Sequence, residues 1–357
     1  MRIGIPKEVK TLEGRVGLVP AAVGALVSAG HEVAVQASAG ESSGFADAQY
    51  TAMGAKILPD AKSVYDAAQL IVKVKEPQPA EVRLLRPDHL LFSYLHLAAE
   101  PELTKNLRDI GLTAVAFETV EETNRALPLL APMSDIAGRI AIQAGAHYLH
   151  RPLGGKGILL GGLPAAERGH VVVLGAGVAG GNAVALAAAM GARVTVFDRN
   201  RDKLAAMRAL GANVTALYPF EHQIREAVKG ADLVVGAVLI VGEKAPHLID
   251  AATVGAMEPG SVIIDISVDQ GGCIETTRPT TYADPVYTYE GVLHFAVTNM
   301  PGAVPKTASQ ALSAALIPYV SALTQPDWRQ NAALRAGINV EGGKIVHPGL
   351  LRSLAKM

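Results

Sequence analysis

Residues 171–198 read VVVLGAGVAGGNAVALAAAMGARVTVFD, and their order decides the fold. Four apolar residues, Val171 to Leu174, run into Gly175-x-Gly177-x-x-Gly180. An alanine-rich helical segment follows, and a second β-branched run, Val194 to Phe197, ends at Asp198. A GxGxxG hexapeptide alone is a weak signal, but strand, glycine turn, helix, strand and acid in this order form a dinucleotide-binding fingerprint. Gly175 permits the tight turn, Gly177 lets a pyrophosphate approach the backbone, and Gly180 lets helix and sheet pack closely. The phosphates would meet free N–H groups at the positive end of the helix dipole. An acid at the end of the second strand accepts hydrogen bonds from a ribose hydroxyl and repels a 2′-phosphate. Asp198 therefore favours NAD over NADP, with the adjacent Arg199 working the other way.

Outward from the fingerprint, apolar runs alternate with helical patterns, as βα units in parallel sheets require. The first third predicts strands at Arg2 to Ile5, Glu32 to Gln36, Leu70 to Val74, Leu90 to Tyr94 and Thr113 to Ala116, with a helix over Pro20 to Ala29. After the fingerprint come strands at Asn213 to Ala216, Leu233 to Gly236, Val262 to Asp265 and Leu293 to Ala296. Helices Arg201 to Leu210 and Glu221 to Lys229 lie among them. The pattern predicts an α/β protein of two Rossmann-like, doubly wound domains with a cleft between them. The helical segment Ser134 to Leu149 carries the chain from one domain to the other. The long helix in KTASQALSAALIPYVSALT returns to the first domain. The substrate domain is thus expected to be discontinuous, residues 1–130 and 305–357, around an NAD-binding domain of residues 131–304.

Composition limits the class of partner. A chain of 357 residues, half of them hydrophobic, exceeds the size at which one core usually stops growing, so two domains are the default. With 32 basic against 33 acidic side chains and no basic block, there is no electrostatic footprint for nucleic acid or anionic lipid. A small molecule is the expected partner. The one cysteine, Cys273, excludes an internal disulfide and fits a reducing cytoplasm. The start MRIGIPKEVK has no apolar signal core, and the uncharged run 171–192 is explained by the nucleotide turn rather than by a membrane helix.

Ligands in open α/β sheets sit beyond the carboxyl ends of the strands, so functional side chains are sought there. Four positions qualify: Arg15 in TLEGRVG, Lys75 after LIVKV, His96 in LLFSYLHL and Asp269 in DISVDQGGC. Arg15 reads either as a solvated loop residue or as a bidentate carboxylate clamp, a geometry lysine cannot supply. Lys73 and Lys75 share strand parity, so periodicity does not choose between them, although Lys75 adjoins the Pro77 turn. His96 reads as a hydrogen-bonded structural histidine or as a proton-transfer group near neutrality. Asp269 could equally cap a turn or face a ligand across the neighbouring glycines. His147 and His150 share a helix face without a complete metal set, so no metal site is expected. Tyr282, Tyr287 and Tyr289 read as packing.

Six separated tracts, MRIGIPKEVKTLEGRVGLVP, IVKVKEP, YLHLA, GAGVAG, DISVDQGGC and NMPGAVPKT, together resemble the alanine dehydrogenases nearly from end to end. The resemblance implies NAD-dependent, reversible oxidative deamination of L-alanine to pyruvate and ammonia by a cytoplasmic homo-hexamer. It implies substrate binding by Arg15 and Lys75 and catalysis by His96 and Asp269. For the cofactor, beyond Gly175, Gly177 and Gly180, it points to Ser134, Val178, Asp198, Lys203, Val238, Leu239, Ile266, Ser267, Val268, Asp269, Arg278, Val297, Thr298, Asn299 and Met300. The chain departs from the family's pattern at Lys203, where relatives carry arginine, and at Phe220, where relatives carry a small serine. The late stretch PYVSALTQPDWRQ lacks the glutamate and histidine of the magnesium site described in some relatives. The alternatives are the NAD(H)-binding part of a transhydrogenase, which shares the two-domain plan by resemblance, and a non-catalytic NAD-binding protein. The latter would be expected to have lost one of the four polar residues.

Overall fold

The computed structural model describes residues 1–238, 246–268 and 271–355. It divides into two compact units, Met1–Met133 with Gly302–Met357, and Ser134–Pro301. These divisions fall a few residues inside the boundaries expected from the sequence.

In the first unit the strands are β1 (Arg2–Ile5), β2 (Glu32–Gln36), β3 (Lys56–Leu58), β4 (Leu70–Val72), β5 (Leu90–Ser93) and β6 (Thr113–Ala116). The second unit holds β7 (His170–Leu174), β8 (Arg193–Phe197), β9 (Val214–Leu217), β10 (Leu233–Gly236), β11 (Val262–Asp265), β12 (Val286–Tyr289) and β13 (Val292–Phe295). The chain then returns to the first unit for β14 (Ile338–Glu341) and β15 (Lys344–Ile345).

The two sheets repeat one plan. The first runs β15-β14-β6-β5-β4-β1-β2-β3 and the second β12-β13-β11-β10-β7-β8-β9. Six strands of each are parallel, and antiparallel pairing appears only at β14 and β15 in one and β12 in the other, among the described residues. Strand order reverses between β1 and β4, and again between β7 and β10. These are the topological switch points at which doubly wound sheets bind ligands. The central strands Leu70–Val72, Leu90–Ser93, His170–Leu174 and Val262–Asp265 are buried throughout, as covered parallel strands must be.

Strands expected from apolar runs are found there, with ends moved by a few residues. Sequence reading missed β3, β12, β14 and β15, which are short and lie at or near sheet edges. The helix Ala131–Tyr148 bridges the two stretches of chain, and the helix Pro305–Leu323 belongs to the first unit. Two hydroxyls of that helix accept backbone N–H groups of the segment after Arg15: Ser309 Oγ from Val16 and Ser313 Oγ from Val19, each at 3.0 Å. No helix among the described residues is long and apolar enough to cross a membrane.

Candidate active site

In the first unit, β1 and β4 deliver their carboxyl ends at the switch point. Glu8 follows β1, and its buried carboxylate accepts the N–H groups of Val74 at 2.6 Å and Lys75 at 3.3 Å, as well as Lys73 Nζ at 3.0 Å. Lys73 Nζ also donates to the Lys75 carbonyl at 3.0 Å and lies 3.3 Å from Glu81. The backbone of Lys75 is therefore held at both its N–H and its C=O. Here the structure separates the two lysines that parity could not. Lys73 is wholly buried in an ion-paired cluster with Glu8 and Glu81, whereas Lys75 is half-buried. Desolvation, followed by the nearby Arg15 cation, pushes the Lys75 ammonium below the usual lysine range.

Arg15 is not a solvated loop residue; its side chain is 2% exposed. Nε and Nη2 donate to the two oxygens of Glu13 at 2.7 and 2.6 Å, and Nη1 donates to Met133 Sδ at 3.0 Å. Burial works against this cation, but the hydrogen bonds and charge of Glu13 outweigh it and hold the guanidinium above its ordinary value. Glu13, which sequence reading missed, fixes the plane of the arginine fork. A carboxylate two residues from an arginine was the available signal.

His96 lies just past β5, with an exposed side chain and a left-handed backbone at φ 49°. Its ring stacks on Tyr94, with centroids 6.0 Å apart and planes 10° from parallel. Tyr94 packs edge-on against Phe117 and donates its hydroxyl to the Leu129 carbonyl at 2.5 Å. The charge of Arg15 acts on Tyr94 and on Lys75 alike. The first unit thus gathers Arg15, Lys75 and, through Tyr94, His96 around one end of its sheet.

In the second unit the expected cofactor positions fall mainly at the carboxyl ends of the parallel strands. Gly175 follows β7 with φ 93°, and Gly177 caps the helix Val178–Ala189. A β-carbon on Gly180 would lie 1.8 Å from the Gly175 carbonyl oxygen, whereas one on Gly177 would meet nothing within 4 Å. One glycine is therefore required by the protein's own packing, and the other keeps space open before a helix N-terminus. Val178 opens that helix and is exposed. Asp198, past β8, accepts the Ala176 N–H at 2.7 Å and the Asn200 N–H at 2.8 Å, which ties the acid to the glycine turn. Lys203 is exposed on the helix Arg201–Arg208, capped by Asn200. Open backbone at a helix N-terminus beside a fixed carboxylate fits the pyrophosphate and ribose of a dinucleotide.

Val238 follows β10, Ile266 donates its N–H to the Gly236 carbonyl at 2.8 Å, and Ser267 donates its N–H to Asp265 at 2.9 Å; Val268 is buried beside them. Past β13, Val297 bridges Thr280 and Thr298 donates its N–H to the Thr280 carbonyl at 3.2 Å. Asn299 has φ 63°, and the Met300 carbonyl accepts from the Tyr282 hydroxyl at 2.7 Å. Ser134 opens the second unit on the helix Ala131–Tyr148. Asp269 and Leu239 lie outside the described residues.

The tyrosines read as packing do more than that. The Arg278 guanidinium lies 4.2 Å above the Tyr287 ring, and the Tyr287 hydroxyl accepts the Arg278 N–H at 2.9 Å, so Tyr287 orients an expected cofactor residue. Cys273 is buried, and burial raises its thiol pKa far above the ordinary range, which makes it inert. Among the described residues no three His, Cys, Asp or Glu side chains gather as a metal set.

Comparison with known proteins agrees with this layout. The profile of the alanine dehydrogenase/PNT N-terminal domain matches residues 4–137, and that of the C-terminal domain matches residues 141–348. An alanine dehydrogenase of Methanococcus maripaludis is 47% identical, covering 99% of this chain and 96% of its own. Among solved structures, an L-alanine dehydrogenase superposes with a TM-score of 0.96 at 49% identity, covering 100% of this chain and 99% of its own. A transhydrogenase from Sinorhizobium meliloti follows with a TM-score of 0.85 at 27% identity, covering 98% and 99%. A glycine-turn unit, an arginine, lysine and histidine gathered in the other unit, and matches over nearly the whole length all agree: the chain belongs to the alanine dehydrogenase/PNT family.

Proposed function

We propose that the protein catalyses the reversible reaction of L-alanine, NAD and water to pyruvate, ammonium, NADH and a proton. The observation that supports this most is the gathering of Arg15, Lys75 and the Tyr94-stacked His96 at one sheet end. An arginine fork suits a carboxylate, a desolvated ammonium suits a carbonyl oxygen, and a histidine suits the proton traffic between them.

Arg15, oriented by Glu13, binds the substrate carboxylate. Lys75 donates to the keto oxygen of pyruvate and draws electron density from the carbonyl carbon, so that ammonia adds there. His96 passes protons to and from that oxygen as the carbinolamine forms and loses water. Asp269 steadies the cationic amine and imine. NAD, when held by the glycine turn and Asp198, would supply the hydride chemistry at the imine carbon, and would accept the hydride in the direction of alanine oxidation. Asp198 selects NAD through its ribose, with Lys203 and Arg278 as further cofactor contacts. Membership of the family supports assembly as a homo-hexamer in the cytoplasm.

Mixing the protein with NAD and L-alanine at alkaline pH is expected to raise NADH absorbance. D-alanine, glycine, lactate, or NADP in place of NAD should give far slower change. NADH binding without any alanine oxidation would instead favour hydride exchange of the transhydrogenase kind, or a silent binding protein.

Lys75 also fixes a pH dependence. Its donor proton is lost as pH rises through a pKa that lies below the ordinary lysine value of about 10.4. Pyruvate reduction should therefore fall along an alkaline limb below that value. Lys75→Arg, whose guanidinium stays protonated above pH ~12, should remove the limb at whatever rate it retains. A limb that does not move belongs to another group.

A further inference from the structure

The hydrogen-bond ladder of β5 ends one residue past the strand, where the Tyr94 N–H donates to the Val74 carbonyl at 3.1 Å. The next two amides have left the ladder, and the chain turns left-handed at His96. Both amides point to one carboxylate. Glu118 Oε1 accepts the His96 N–H at 2.7 Å and the Leu95 N–H at 3.2 Å, and Oε2 lies 3.3 Å from the Leu95 N–H. Glu118 stands on the short 3₁₀ turn Phe117–Thr119 that follows β6, the parallel neighbour of β5, and Ser93 is in register with Ala116. It therefore reaches His96 from the adjacent strand end. The flanking side chains Leu95 and Leu97 are buried, and the His96 carbonyl accepts the Ala99 N–H at 2.9 Å, so the turn is fixed on both sides of the exposed ring. The device repeats the one at the end of β4, where Glu8 accepts the Val74 and Lys75 amides.

We infer that Glu118 is a positioning residue for His96: its carboxylate holds the left-handed turn that aims the imidazole, and it acts on turnover only through that ring. The inference rests on the proton-transfer role of His96 proposed above. A non-glycine residue at positive φ is a sparsely populated state that persists when its surroundings over-determine it. Without the carboxylate, two amides lose their acceptor, and the turn can relax to an ordinary backbone that carries the ring away. A displacement of about 1 Å in a catalytic group can cost up to a hundredfold in rate.

The test is a double-mutant cycle in the full-length protein, with NADH affinity and Tm recorded for each variant. Glu118→Ala is expected to lower kcat for pyruvate reduction by tenfold or more, in the range of about 10–100-fold, with NADH affinity unchanged. Glu118→Gln, which keeps an acceptor in place, should stay within about threefold of the parent. In a His96→Ala background, Glu118→Ala should change the residual rate by less than about twofold, because its route to the reaction is already gone. Should the alanine variant not fold, Glu118→Asp, which withdraws the carboxylate by one methylene, takes its place in the cycle. Equal losses with and without His96 would overturn the inference and make Glu118 an ordinary structural prop. Near-normal turnover of His96→Ala alone would instead remove the role proposed for the histidine, and this inference with it.

Discussion

His96→Ala is expected to lower kcat in both directions by at least about a hundredfold, while NADH binds with unchanged affinity. The size follows from what the substitution removes. Arg15 is held by Glu13, and the Lys75 backbone by Glu8 and Lys73, so the groups proposed to bind substrate keep these supports when the imidazole is removed, and substrate binding should survive. The ring itself contributes little to the fold, since its side chain is exposed and its aromatic contact is with one face of Tyr94. Loss of turnover without loss of Tm or of cofactor affinity is therefore the signature of a proton-transfer group. Steady-state rates with pyruvate, ammonium and NADH, beside NADH fluorescence titration, separate the two quantities. Turnover close to that of the parent would take the histidine out of the mechanism.

The second large effect comes from a pair of glycines three residues apart. Gly180→Ala places a methyl group 1.8 Å from the Gly175 carbonyl oxygen, a backbone atom that cannot swing aside. The turn and the helix Val178–Ala189 must separate, at a cost of about 1–3 kcal/mol or more, and Tm should fall by roughly 2–4 °C for each kcal/mol. NADH affinity should fall with it, because the turn that separates is the one that would hold the pyrophosphate. Gly177→Ala is expected to behave differently. Its φ is −71° and its added methyl meets nothing within 4 Å, so Tm should hold while NADH affinity drops by tenfold or more, about 1.4 kcal/mol. Should Gly177→Ala bind NADH normally, the pyrophosphate does not lie against that turn, and the cofactor must be placed elsewhere.

The parallel cores were legible because covered strands are continuous apolar runs. Val171 to Leu174 and Val262 to Asp265 announce themselves in one dimension and are buried in three. β12 was not legible: Val286, Tyr287, Thr288 and Tyr289 alternate at a half-exposed sheet edge, where aromatic spacing reads equally as packing. The site was legible where chemistry is local, as with a glycine turn followed by an acid at the expected spacing. It was opaque where a role depends on a distant partner. Nothing near Lys73 in sequence says that Glu8 and Glu81 bury it, and nothing near His96 points to Glu118, 22 positions away. Arg15 illustrates the same limit. Charge alone favours a solvated arginine, and its bidentate contact with Glu13, distant from any signal of periodicity, shows how it can be buried.

The two serine hydroxyls that hold the segment after Arg15 set a timetable for biosynthesis. Val16 and Ser309 are separated by 293 residues, Val19 and Ser313 by 294, and the whole 134–301 unit is translated between them. Ring closure over such a distance adds only slowly with length, so thermodynamics tolerates it, but order of emergence does not. A nascent chain can complete its central unit while the arginine-bearing segment still lacks the acceptors for two amides. The sheet end that carries Arg15 is thus completed only after the 134–301 unit has been made, although the Arg15 segment itself is translated before that unit.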